Sequence, residues 1–86
     1  MSKLRLNNDT AAILGVWIEP WGRDHWMKPQ ETFTIVADDS EHPPSDDPPF
    51  DVVFHDQGVS VYVNAAHEAT VYDESGNEVP CGYQRP

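Results

Sequence analysis

Apolar and polar side chains alternate along this chain with a period of two, and helical spacing of apolar residues is hard to find. Leu4 and Leu6, with Lys3 and Arg5 between them, predict a first strand that ends at the turn formers Asn7, Asn8 and Asp9. From Ala12 to Glu19, one face carries Ala12, Leu14, Val16 and Ile18 and the other Ile13, Gly15, Trp17 and Glu19. Apolar groups on both faces predict a central strand. All three tryptophans lie in the following stretch, Val16 to Phe33. It reads as the end of that strand, a tight turn at Pro20-Trp21-Gly22, a short Trp21 to Trp26 segment crossing one end of the fold, and a second turn at Pro29-Gln30. Glu31 to Ala37 then alternates cleanly, with Phe33, Ile35 and Ala37 inward and Thr32, Thr34 and Val36 outward.

The character of the chain changes over residues 38–49, which hold Asp38, Asp39, Glu41, Asp46 and Asp47, two serines, His42 and four prolines. Proline removes ladder donors and the acids repel one another, so the stretch predicts an exposed, mobile loop. Beyond it, Phe50, Val52 and Phe54 alternate with Asp51, Val53 and His55. Asp56-Gln57-Gly58 supplies a hairpin turn into a strand with Val59, Val61 and Val63 on one face and Ser60, Tyr62 and Asn64 on the other. A strand over Ala69 to Asp73, a turn at Glu74-Ser75-Gly76-Asn77 and a last edge strand, Glu78 to Cys81, complete the pattern. The expectation is one all-β domain over residues 1–86, a small sandwich or barrel of six to seven short, mostly antiparallel strands.

Composition narrows this further. A chain of 86 residues buries a smaller share of its surface than a larger domain, and a deep catalytic cleft is not expected. With the single cysteine Cys81 no internal disulfide forms, which fits a reducing compartment. The first residues lack the apolar run of a signal peptide and no stretch is apolar enough to span a bilayer, so a cytoplasmic location is expected. Fifteen acids against five bases give a net charge of -10, with no lysine or arginine between Lys28 and Arg85. That field disfavours direct contact with nucleic acid or anionic membranes and suits a basic protein partner.

Candidate chemistry is sparse. The late Cys81 leaves no room for the clustered ligands of a blue-copper site, no His or Cys pair has zinc-knuckle spacing, and the acidic loop lacks the glycine-punctuated calcium pattern; no metal or other cofactor is expected. Glu19, Asp24 and His25 lie within seven residues, but no nucleophile or oxyanion loop accompanies them, so no catalytic residue is assigned and an enzyme is not expected. Cys81 has no basic group close before it and reads as a packing residue. Rows of carboxylates also permit imitation of nucleic-acid phosphates, although here they cluster in loops. Trp17, Trp21 and Trp26 form the aromatic set, with Tyr62 and Tyr72 also on strand faces opposite the aliphatic residues. Such rings serve as core plugs, as anchors of protein interfaces or self-association, or as stacking platforms for small ligands.

The run Trp17-Ile-Glu-Pro-Trp-Gly, the run Lys28-Pro-Gln-Glu-Thr-Phe-Thr-Ile and the closing Cys-Gly-Tyr-Gln-Arg-Pro resemble those of small bacterial proteins of unassigned function with an E-P-W-G turn and a P-G-E-x-F strand opening, with Gln30 here in place of the glycine. The resemblance implies no activity. The expected function is a non-enzymatic acidic interaction module, in which Trp17, Trp21 and Trp26 provide apolar contact and Asp38, Asp39, Glu41, Asp46 and Asp47 steer a basic partner. The alternative is small-ligand binding, of carbohydrate or metal, where Glu19, Asp24 or His25 converge with a ring.

Overall fold

In the computed structural model, the described residues are 1–40, 46–64 and 66–86, and they form seven strands and no helix. The strands are β1 (Ser2–Asn7), β2 (Leu14–Glu19), β3 (Arg23–Met27), β4 (Thr32–Asp38), β5 (Phe50–His55), β6 (Gly58–Val63) and β7 (Glu68–Tyr72). They make two sheets, one ordered β1-β4-β7 and the other β3-β2-β6-β5. All pairings are antiparallel except β2 with β6. The fold is therefore a sandwich of three strands on four rather than a closed barrel.

The inward residues follow from the period of two. Phe33, Ile35 and Ala37 of β4, with Ala69 and Val71 of β7, face Val16 and Ile18 of β2, Met27 of β3 and Val61 and Val63 of β6, all buried in one cluster. Side chains of this size each stabilise the fold by about 1.5–3 kcal/mol when fully buried. Val79 joins the core although its segment is not a strand; it is held by its N–H donating to the Val71 carbonyl and by a single bridge between Tyr72 and Glu78. The expected edge strand over Glu78 to Cys81 is thus not formed, since Pro80 has no donor with which to extend that bridge into a ladder.

A further expectation is corrected. The Trp21 to Trp26 segment does not cross an end of the fold: Arg23–Met27 pairs with β2 in a hairpin whose turn is Pro20-Trp21-Gly22, entered through a cis Glu19–Pro20 bond. Its alternation places Arg23, His25 and Met27 inward, and two of these three are polar, which hides the pattern in the sequence. Phe54, in phase with the inward Phe50 and Val52, is nonetheless 80% exposed.

The parallel seam between β2 and β6 joins the two halves of the larger sheet. There Gly15 lies beside Gly58, whose φ is +147°, and a Cβ on Gly58 would overlap the Gly15 carbonyl oxygen. Only glycine fits that approach. Asp38 ends β4 rather than beginning a loop, and the predicted loop residues 41–45, Glu41 among them, lie outside the described residues.

Candidate functional site

On the outer face of the four-stranded sheet, pairing registers bring together residues far apart in sequence. Trp17 of β2 lies beside Asp24 of β3 and Ser60 of β6, Gly15 beside Trp26, and Glu19 beside Tyr62. Because Gly15 has no side chain, the two indoles close over it: a Cβ there would sit 2.5 Å from the Trp17 ring and 3.0 Å from that of Trp26. The rings meet edge to face at 5.3 Å, a geometry favoured by the aromatic quadrupole. Across the small Ser60, Trp17 also meets His55 of β5 at 5.2 Å. Tyr62, 43% exposed, and Val53, 48% exposed, extend the surface toward β5.

Asp24 anchors one end of this stripe. Arg85 donates to both its oxygens, Nε to Oδ2 at 2.7 Å and a terminal nitrogen to Oδ1 at 2.6 Å. The Trp26 indole N–H donates to Oδ2 at 2.8 Å and the Cys81 thiol donates to Oδ1 at 3.6 Å. The two guanidinium bonds, followed by the indole bond, hold the Asp24 carboxyl far below the ordinary carboxylate range, and Asp24 raises Arg85 in turn. A carboxylate so stabilised is a poor proton acceptor at neutral pH.

His25 points the other way, into the core. It is 2% exposed, and neither ring nitrogen has a hydrogen-bond partner of sound geometry. Desolvation, then the charge of Arg23, lowers its pKa, outweighing the carbonyls of Pro80 and Val79 that favour the proton. Adjacent strand residues point to opposite faces, so of the candidates Glu19, Asp24 and His25 the first two are outside, where Asp24 meets the Trp26 ring, and His25 is inside. Trp21 is at the β2–β3 turn, 37% exposed, with the Arg23 guanidinium 5.3 Å from its ring centre. Arg23 also donates to the Ala69 carbonyl at 2.6 Å, tying β3 to β7.

Among the described residues, the acidic side chains of the expected loop do not gather into one site. Asp38 accepts from the Ser40 hydroxyl and amide, and Asp39 from the Ser2 hydroxyl; these bonds lower both carboxyl pKa values. Asp46 and Asp47 are exposed before β5. Among the described residues no group of three or more His, Cys, Asp or Glu side chains could hold a metal ion.

Sequence reasoning missed the role of residues 81–86. The Gly82 N–H donates to the Asp24 carbonyl at 2.6 Å, and the Trp26 N–H to the Tyr83 carbonyl at 3.0 Å. Gln84 donates to the Trp26 carbonyl and to Glu31, both at 2.7 Å. The segment thus covers the outer edge of β3. Only the composition of Cys-Gly-Tyr-Gln-Arg-Pro, with one cation after a long acidic stretch, hinted that Arg85 had a carboxylate to meet. A pocket of about 410 Å3 opens between the end of β1 and the β5–β6 hairpin, lined by Leu6, Leu14, Val16, Met27, Phe54 and Val59 among others. Comparison with known protein families, curated proteins and solved structures finds no match to this chain.

Proposed function

We propose that this protein is a non-enzymatic interaction module of the cytoplasm that presents the outer face of its four-stranded sheet to a basic protein partner. The observation that carries the reading is the cross-sheet stripe of Trp26, Trp17 and His55, continued by Tyr62 and Val53, which is apolar, contiguous and partly open to solvent. Rings held by a glycine floor and by the Asp24 carboxylate lose little conformational freedom on contact, which favours their use as anchors. The net charge of -10 supplies long-range attraction for a cationic partner and repulsion for nucleic acid.

Small-ligand binding, the second reading, is supported by a hollow of about 380 Å3 beside Trp21, lined by Arg23, His67 and Glu68. Arg23 already occupies one face of that ring, which leaves less of it for stacking.

Affinity capture from lysate of the source cells separates the two. The interaction reading expects a stoichiometric partner that is held at low salt, released at high salt, and not held when Val53 and Tyr62 are both changed to serine. Recovery of the chain alone at both salts contradicts it.

A further inference from the structure

The four outer strand edges of the sandwich differ, and among the described residues one has no covering segment. The β3 edge is bonded to residues 82–84. On β7, Val71 is bonded to Val79, Tyr72 is bridged to Glu78, and the Ala69 carbonyl accepts from Arg23. β1 carries exposed Lys3 and Arg5 along its edge, the kind of charge that keeps other strands away. Among the described residues no segment covers β5, and the exposed charge it carries is the acid Asp51 rather than a lysine or arginine.

The register of β5 shows which backbone groups are free. The Asn64 N–H donates to the Pro49 carbonyl, so 49 and 64 form a hydrogen-bonded pair one step before the Phe50–Val63 partners of the ladder. Antiparallel pairs alternate between bonded and non-bonded. The N–H and C=O groups of Phe50, Val52 and Phe54 therefore point away from β6, along an outer edge where Val53 is 48% and Phe54 80% exposed.

We propose that β5 is a docking strand, to which an extended peptide alternating apolar and cationic side chains adds as a fifth strand of the larger sheet. This rests on the interaction-module reading and specifies its partner. Main-chain bonds to Val52 and Phe54 supply the register. Inward side chains of the added strand come beside Phe54 and the apolar pocket that it borders with Leu6 and Val59. Outward side chains come beside Asp51 and Val53, where Asp51 is fixed by a bond from Asn64 and the Tyr62 ring is open to a cation. Charge selects this occupant over a second copy of the chain. Asp46, Asp47, Asp51 and Asp56 flank β5, and no lysine or arginine occurs between Lys28 and Arg85. Joining two β5 edges would set these carboxylates against themselves, whereas a basic strand neutralises them.

The test is a titration of the isotope-labelled protein, followed by amide NMR, with an end-blocked eight-residue peptide of alternating lysine and valine. Two controls accompany it: the glutamate–valine counterpart and a lysine–valine peptide N-methylated at every second residue. The proposal expects saturable shifts largest at Val52 and Phe54, affinity lower by about tenfold or more for the glutamate peptide, and no binding of the N-methylated peptide. Phe54→Pro removes the outward N–H without removing a bond to β6, and is expected to abolish binding while the remaining spectrum stays folded. Saturable shifts confined to Trp17, Trp26 and Tyr62, unchanged by N-methylation, would overturn the docking strand and leave the interaction-module reading standing. Absence of any saturable shift overturns the docking strand, and the capture experiment then decides the wider reading. A dimer that forms without peptide and dissociates on Phe54→Pro overturns it in favour of a second copy.

Discussion

β3 and β5 are the two outer strands of one sheet, similar in length and joined through the same β2–β6 seam, yet one is finished and the other is bare. Both turn alternate backbone groups outward. On β3 those groups, the Asp24 carbonyl and the Trp26 N–H and carbonyl, are all bonded to residues 82–84, and the Asp24–Arg85 pair holds that segment in place. On β5 the corresponding groups of Val52 and Phe54 meet no bonded partner among the described residues. An exposed, apolar, unpaired edge is a hazard for any soluble sandwich. One edge is covered by the chain's own residues, whereas the other, among the described residues, is left uncovered beside an apolar pocket, and it is the second that the docking-strand proposal assigns to a partner.

The largest expected effect breaks the seam on which both edges depend. Gly58→Ala places a Cβ against the Gly15 carbonyl at a φ that other residues avoid, and a loss of about 4 kcal/mol or more in urea unfolding is expected. Loss of both strand halves together would show that the sheet is one cooperative unit. Next, removing residues 82–86 uncovers β3 and deletes six hydrogen bonds to β3 and Glu31. A cost of about 2–4 kcal/mol is expected, with β3 amides losing protection and β5 amides unchanged. The truncated protein would then have two bare edges and a raised tendency to associate.

Acid is expected to weaken the closed side. Asp24 has a folded-state pKa below its unfolded value near 3.8, so its contribution is complete above that value and is lost as the pH falls through the folded one. His25 also titrates lower when folded than its ordinary 6.5. The unfolded chain takes up that proton first, so stability declines as the pH falls below 6.5. His25→Leu removes two unpaired buried nitrogens and should flatten the profile between neutrality and pH 5 while raising stability by about 1 kcal/mol. Urea midpoints across this range, for both proteins, give the answer. The smallest effect sharpens the comparison from the other side: Phe54→Lys, on the bare edge, should leave stability within about 0.5 kcal/mol.

Where apolar residues alternate with polar ones, the sequence was a sufficient guide. Phe33, Ile35 and Ala37 of β4 and Val61 and Val63 of β6 are buried as expected. β3 was missed because Arg23 and His25 occupy inward positions that the pattern reserves for apolar side chains. Phe54 keeps the phase of Phe50 and Val52 and is exposed nonetheless, which no local pattern contains. Adjacency misled for Asp24 and His25, because neighbours on a strand face opposite ways. Gln30 adopts φ of +68°, a conformation glycine holds most easily. The Asp24–Arg85 pair spans sixty-one residues of sequence, and nothing near either residue announces the other. The aromatic stripe required the parallel seam, which sets Trp17 beside Ser60 and within reach of His55.

The central contrast is tested most directly by amide hydrogen exchange in the free protein, read residue by residue. Slow exchange at Trp26 and Gly82, with fast exchange at Val52 and Phe54 between slower Asp51, Val53 and His55, is the predicted result. Equal protection of Val52, Phe54 and Trp26 would mean that the β5 edge is already occupied, and would contradict the account.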